Sequence, residues 1–139
     1  MTEYNEVDRE TFFDTIDTIT YRDQDIAEAL EFGCNSILNC YQKARHRFAK
    51  YFIVYEDSRP IVTVMLQRDG QIIFFISDTV NNSLSLVREL KNLCATTVAG
   101  AGAIMTKTAS WYTEAKRLNE LTGFRIYAIA DYYEYWVAE

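Results

Sequence analysis

The stretch QIIFFISDTVNNSLSLVRELKNLCATTV, residues 71–98, decides how the rest of the chain is read. It opens on five apolar residues, Ile72 to Ile76, too few to span a membrane and rich in strand formers. A polar loop follows, Ser77 Asp78 Thr79 Val80 Asn81 Asn82. Leu86, Val87, Leu90, Leu93 and Cys94 then recur at helical spacing, with Asn82 or Ser83 placed to cap the first turn. A strand, loop and helix in this order aim backbone N–H groups over the strand's end, where an anion is favoured.

The whole chain bounds what this unit belongs to. Its 139 residues are expected to form a single domain, 1–139. A composition 49% hydrophobic and 24% charged is that of a folded globular protein rather than a disordered one. Pro60 is the single proline and no Gly-rich tract divides the chain. The net charge of −6 argues against nucleic acid, whose phosphates need a basic face. Met1 to Asp8 is polar, so neither a signal peptide nor a membrane anchor is expected. Cys34, Cys40 and Cys94 lack metal-ligand spacing and read as buried or idle thiols, so no metal site is predicted. One histidine, His46, leaves no basis for a Ser-His-Asp or Cys-His arrangement.

Outward from the central stretch, Tyr4 to Val7 predicts a short first strand. Asp8 caps a helix to about Asp17, with Phe12, Phe13 and Ile16 on one face. A second helix is predicted from Asp23 to Phe32, with Ile26, Ala27, Leu30 and, at the edge of the stripe, Ala29 inward, and Gly33 closing it. A third covers Ser36 to Arg47. Tyr51–Tyr55 and Ile61–Leu66 read as strands, and Asp69-Gly70 supplies the tight turn that pairs the second with Ile72–Ser77. Beyond the central helix, Ala103 to Thr106 is a further strand, joined to its predecessor by a right-handed parallel crossover. A helix from Ser110 carries Trp111, Ala115, Leu118 and Leu121, and ends at Gly123 with Phe124 packing back. Two closing strands, Arg125 to Ala130 and Tyr133 to Ala138, concentrate Tyr127, Tyr132, Tyr133, Tyr135 and Trp136.

This order of elements, with Ala115 to Phe124 as the helix before a Gly-Phe pair, resembles the GNAT acyltransferases. The fold class expected is therefore α/β (α+β): a GNAT-like mixed sheet with an antiparallel meander, one parallel crossover and flanking helices. Tyr21 to Ala29 is also similar to the start of small GNAT-like proteins of tailed phages, among them an internal virion protein. The resemblance implies acetyl-CoA as cofactor, bound by an Arg/Gln-x-x-Gly-x-Gly/Ala loop, and a Tyr four residues before the Gly of Gly-Phe as general acid. Here the loop is Asp78 to Leu84, without glycine or basic residue, and the Tyr position is Asn119.

Those two departures favour a phage-encoded, catalytically degenerate protein of virion structure or assembly, located in the host cytoplasm or the virion. Its expected partners are phage structural proteins, met through the aromatic C-terminal hairpin, with no nucleic acid, no membrane and no cofactor. The alternative is an active N-acetyltransferase moving acetyl from acetyl-CoA to an amine. A third reading is a phage inhibitor of a host protein. Under the enzyme alternative, Tyr112 is the candidate catalytic residue, and Thr79, Asn81, Asn82 and Ser83 are the candidate cofactor-binding residues. Glu56 and Asp57 read as solvated turn residues, and Lys43 to Arg47 as the basic end of a helix. Phe74, Phe75 and Trp111 lie where they would plug a cleft between the two parallel strands.

Overall fold

The computed structural model describes residues 1–44 and 49–139. His46, Arg45 and Arg47 lie outside the described residues. Strand β1 (Thr2–Val7) leads into α1 (Arg9–Ile16), α2 (Asp23–Glu31) and α3 (Ile37–Ala44). Strands β2 (Lys50–Glu56), β3 (Arg59–Leu66) and β4 (Ile72–Ile76) follow, then α4 (Ser83–Ala101) and β5 (Ile104–Ala109). Helix α5 (Thr113–Leu121) and strands β6 (Arg125–Ile129) and β7 (Tyr133–Ala138) complete the chain.

The caps behave as their residue types require. Asp8 accepts the N–H of Thr11 at 2.7 Å and Asn82 that of Ser85 at 3.1 Å, each satisfying a first-turn donor. At the end of α5 the N–H of Phe124 reaches Asn119 O at 2.9 Å and that of Gly123 reaches Glu120 O at 3.2 Å. This is a Schellman cap: Gly123, at φ +104, turns the chain and the buried Phe124 packs back.

Strands β1 to β4 form an antiparallel sheet in sequence order, and β5, β7 and β6 form a second with β7 in the middle. The two sheets meet at one isolated parallel bridge, Gln71 to Met105, where Met105 donates to Gly70 O at 2.8 Å. The expected parallel crossover is thus present, but the strands it joins touch at one end and splay at the other. Two cores flank the sheets. Helices α4 and α5 cover one face with Leu86, Leu90, Leu93, Phe124 and Trp136. Helices α1 to α3 cover the other with Phe12, Ile16, Tyr41, Ile53 and Phe75.

Helix α2 departs from its predicted orientation. Ile26 and Leu30 are 39% and 55% exposed and Ala27 is exposed, while Asp25 and Glu28 are buried; of the residues expected inward, Ala29 alone is buried. The apolar stripe lost to a stronger demand, described below. The cysteines depart as well: Cys34 and Cys40 form a disulfide with their Cα atoms 5.3 Å apart, and Cys94 is free and buried. The turn after α2 folds the chain back so that α3 brings Cys40 to Cys34, a pairing that spacing alone does not reveal. Among the described residues no helix is long and apolar enough to cross a membrane.

Gly70 sits where the hairpin turn and the splay meet. Its φ is +92, and a Cβ there would stand 2.9 Å from Ala103 O. Gly33 has a similar φ of +84 with open space around it. Gly70→Ala is expected to lose about 2–3 kcal/mol of stability and Gly33→Ala about 1 kcal/mol, measured by thermal unfolding. Equal losses would contradict the close approach of β5 to the turn.

Candidate active site

Backbone phase fixes what the splay exposes. The N–H of Ile76 is taken by Asp25 Oδ2 at 2.6 Å, and Ile76 O accepts from Arg22 N at 3.0 Å, so this residue faces away from β3. Gly70 faces the same way at the other end of β4. Alternation along the strand therefore turns the N–H and C=O of Phe74 toward β5. On β5, Met105 N bonds Gly70 O and Ala109 N donates to Glu28 Oε2 at 2.9 Å, which turns the backbone of Lys107 toward β4. Phe74 and Lys107 thus present bare backbone edges to one another.

Between them lies a cleft of about 490 Å³ lined from both faces of the sheet. Thr108, Ala115, Leu118 and Asn119 line it on the α4–α5 face, and Arg22, Asp25, Glu28, Lys43 and Lys107 on the α1–α3 face. Of the aromatics expected to plug it, Phe74 and Phe75 form part of its wall and Trp111 does not. Phe75 is turned into the helical core, its ring edge-on to Tyr41 at 5.4 Å and to Tyr21 at 6.3 Å. Phe74 packs against the opposite core. Trp111 is half-exposed outside the cleft, stacked on Tyr112 at 5.2 Å with its indole N–H on Glu31.

Two buried acids of α2, absent from the sequence-predicted site, close the wide end. Asp25 accepts from Ile76 N, from Arg22 Nη2 at 2.9 Å and from the Tyr112 hydroxyl. Glu28, on the same helix face three residues on, holds Ala109 N. Burial raises its carboxyl pKa, the Ala109 N–H lowers it and the Asp25 charge raises it again, leaving it at about 7. The i, i+3 spacing of two acids was the available signal, but the apolar residues between them pointed the helix the other way.

Tyr112, the predicted catalytic residue, does line the cleft, immediately before α5. Burial, and then the Asp25 charge, push its hydroxyl well above the ordinary tyrosine value. Its proton is committed to Asp25, and the Arg22 guanidinium lies 5.4 Å from its ring centroid. Tyr112 therefore positions Asp25. Asn119 is 1% exposed, with Nδ2 on Thr108 Oγ1 at 2.9 Å and Oδ1 unpartnered.

None of the predicted cofactor residues, Thr79, Asn81, Asn82 and Ser83, lines the cleft. The amides of Asn81 and Asn82 donate to the Glu56 carboxylate at 2.9–3.2 Å. Glu56 is buried rather than a solvated turn residue, and Arg59 holds it at 2.8 Å while also bonding Thr79 O at 2.6 Å. Burial pushes the Glu56 carboxyl up, and the two amides and Arg59 outweigh it, so it lies below the ordinary value. The loop without glycine is thus ordered by the protein's own anion, and a cation missing from its sequence arrives from β3. Ser83 and Leu84, the first residues of α4, have N–H groups with no acceptor inside the helix.

No protein-family model matches the chain, and no curated protein matches it by sequence. Solved structures do. The spermidine N-acetyltransferase of Vibrio cholerae, in complex with CoA and spermine, superposes with a TM-score of 0.68 at 13% identity, covering 98% of this chain and 94% of that one. An N-acetyltransferase from Staphylococcus aureus Mu50 gives 0.68 at 16% identity, covering 100% and 97%. AAC(6')-Ib in complex with ribostamycin and coenzyme A gives 0.69 at 12% identity, covering 99% and 92%. This chain has a GNAT-like fold.

The expectation of a catalytically degenerate phage virion protein is corrected by these findings. The similar structures are N-acetyltransferases, two of them holding CoA, and nothing among them points to a phage virion. The same finding removes the support for expecting no cofactor. The cleft is lined from both faces of the sheet although the loop before α4 has no glycine. The aromatic hairpin, read as an assembly surface, contributes Tyr127 and Tyr135 to the cleft wall and buries Trp136.

Glu28 gives the site a pH signature. The unfolded carboxyl ionises near 4.5 and the folded one near 7, so the folded state binds more protons between these values. Stability therefore falls as pH rises through that interval, by about 3 kcal/mol, and then levels off. Glu28→Gln is expected to remove this share of the decline in denaturant unfolding at pH 5 and pH 8. An unchanged pH dependence would contradict the burial of an ionisable Glu28.

Proposed function

We propose that the protein is an N-acetyltransferase that moves an acetyl group from acetyl-CoA to an amine. The observation that carries this reading is the cleft between β4 and β5, bare at Phe74 and Lys107 and lined from both faces of the sheet, with Glu28 on one face. A donor and an acceptor approach the two faces separately. Acetyl-CoA, when bound, supplies an acetyl group activated on sulfur.

The residues present fit such a donor. Phe74 and Lys107 offer backbone N–H and C=O groups to an amide-bearing arm, as a missing strand would. The N–H groups of Ser83 and Leu84, at the positive end of α4, suit phosphate. Glu56 already holds the neighbouring Asn81 and Asn82 amides, so these two are not counted toward the donor.

Glu28 takes the proton that the acceptor amine loses as its nitrogen bonds to the acetyl carbon. A carboxyl poised near pH 7 is suited to that role, because it is ionised at working pH yet still basic. Its Ala109 hydrogen bond fixes its direction, and the Asp25–Arg22–Tyr112 group fixes the helix that carries it. The departing sulfur meets no side-chain acid here, since Tyr112 is committed to Asp25 and Asn119 has no proton to give at useful pKa.

Calorimetry with acetyl-CoA, followed by thiol release in the presence of amines, tests the reading. Micromolar binding and transfer that rises with pH through about 7 are expected, with Glu28→Gln losing about 10²–10⁴-fold in rate. Absence of heat at millimolar acetyl-CoA would overturn it.

A further inference from the structure

The acceptor side of the cleft is charged in a way that selects its ligand. Of its two acids, Asp25 is neutralised by Arg22 and holds the Tyr112 hydroxyl and Ile76 N–H as well. Glu28 is turned onto Ala109 N. Glu31, the next acid along α2, accepts from the Trp111 indole outside the cleft. Neither cleft carboxylate is left to receive a second ammonium group.

Arg22 is spent on Asp25, but two other cations on this face are not held by acids. Lys107 Nζ stands 4.5 Å from the centroid of Phe32 and 4.8 Å from that of Tyr133, held by ring faces. Lys43 Nζ donates to Gly33 O at 2.8 Å. Among the described residues neither is paired with a carboxylate. Both line the cleft, with the rings of Phe32, Tyr127 and Tyr135 between and beside them. A chain of net charge −6 thus presents a locally positive, aromatic-walled pocket on the face opposite α4 and α5.

We infer that the acceptor is an amine that also carries an anionic group, a carboxylate or a phosphate, whose charge meets Lys107 and Lys43. This rests on the acetyltransferase reading for the fate of the amine, but the binding preference stands on the charges alone. The amine is directed toward Glu28 and the anion toward the lysines. A polyamine brings further positive charge to a pocket where Arg22, Lys43 and Lys107 already outnumber Asp25 and Glu28.

The test is titration without acetyl-CoA, so that failure of donor binding and failure of this inference are separate results. The probes are glucosamine 6-phosphate against glucosamine, β-alanine against propylamine, and spermidine. In one or both pairs the anionic member is expected to bind at least about tenfold tighter than its uncharged-tail partner and than spermidine, with the advantage shrinking as salt is raised. The pair that shows it distinguishes phosphate from carboxylate. Lys107→Gln, and separately Lys43→Gln, are expected to cut that advantage severalfold while leaving the thermal midpoint near the parent's. Tighter binding of spermidine, equal binding within both pairs, no binding of any probe, or indifference to both lysine substitutions would overturn the inference.

Discussion

Two carboxylates on one helix face, Asp25 and Glu28, take the N–H groups of Ile76 and Ala109, and the architecture of the cleft depends on that exchange. Beyond the Gly70–Met105 contact, β4 and β5 separate, and each strand is left with backbone donors lacking a neighbour. An unpaired N–H in a protein interior is costly, and so is a buried carboxylate. Brought together they satisfy each other through charge-assisted bonds, which are stronger than neutral ones. Arg22 compensates one of the two charges, and the other is relieved by a raised pKa. The helix consequently sits with its acids inward and Ile26 and Leu30 outward. The splay is pinned at its wide end and bridged at its narrow end, while Phe74 and Lys107 between them stay unpaired.

A similar substitution of side chain for backbone orders the loop before α4. Glycines would let backbone amides close on an external anion; here Glu56 occupies two of those amides from within the protein. Arg59 ties that carboxylate to Thr79, so a loop of bulky residues keeps a defined entry into the helix. The cost is a smaller set of free amides for any bound phosphate, limited to the first turn of α4. Local charge therefore matters more than the net value of −6. Its acids are drawn into the frame at Asp25, Glu28 and Glu56, and cations are left facing the cleft.

Local signals made the elements legible. Asp69-Gly70 announced the hairpin, Asn82 the start of α4, and Gly123-Phe124 the end of α5, because each is a rule about a few adjacent residues. The order of elements then pointed to the fold. What stayed hidden was set by groups distant in sequence. Asp25 is turned inward by a strand edge 51 residues away, and Glu28 by one 81 residues away. No hydrophobic pattern on α2 encodes that demand, so its apolar stripe predicted the wrong face. Glu56 reads as a solvated turn residue until the loop at Asn81 is seen to need an acceptor. Tyr112 is legible as a candidate, yet its role follows from Asp25, which no local pattern places in the site.

Amide hydrogen exchange at four positions tests the open splay most directly. Ile76 and Ala109, held by carboxylates, should be protected in the free protein, whereas Phe74 and Lys107, facing each other across the cleft, should exchange far faster. Saturating acetyl-CoA should then slow Phe74, Lys107 or both, and leave Ile76 and Ala109 as they were. Protection of Phe74 and Lys107 in the free protein would mean that the strands are closed on each other. Indifference of both to acetyl-CoA would mean that the cleft does not receive it.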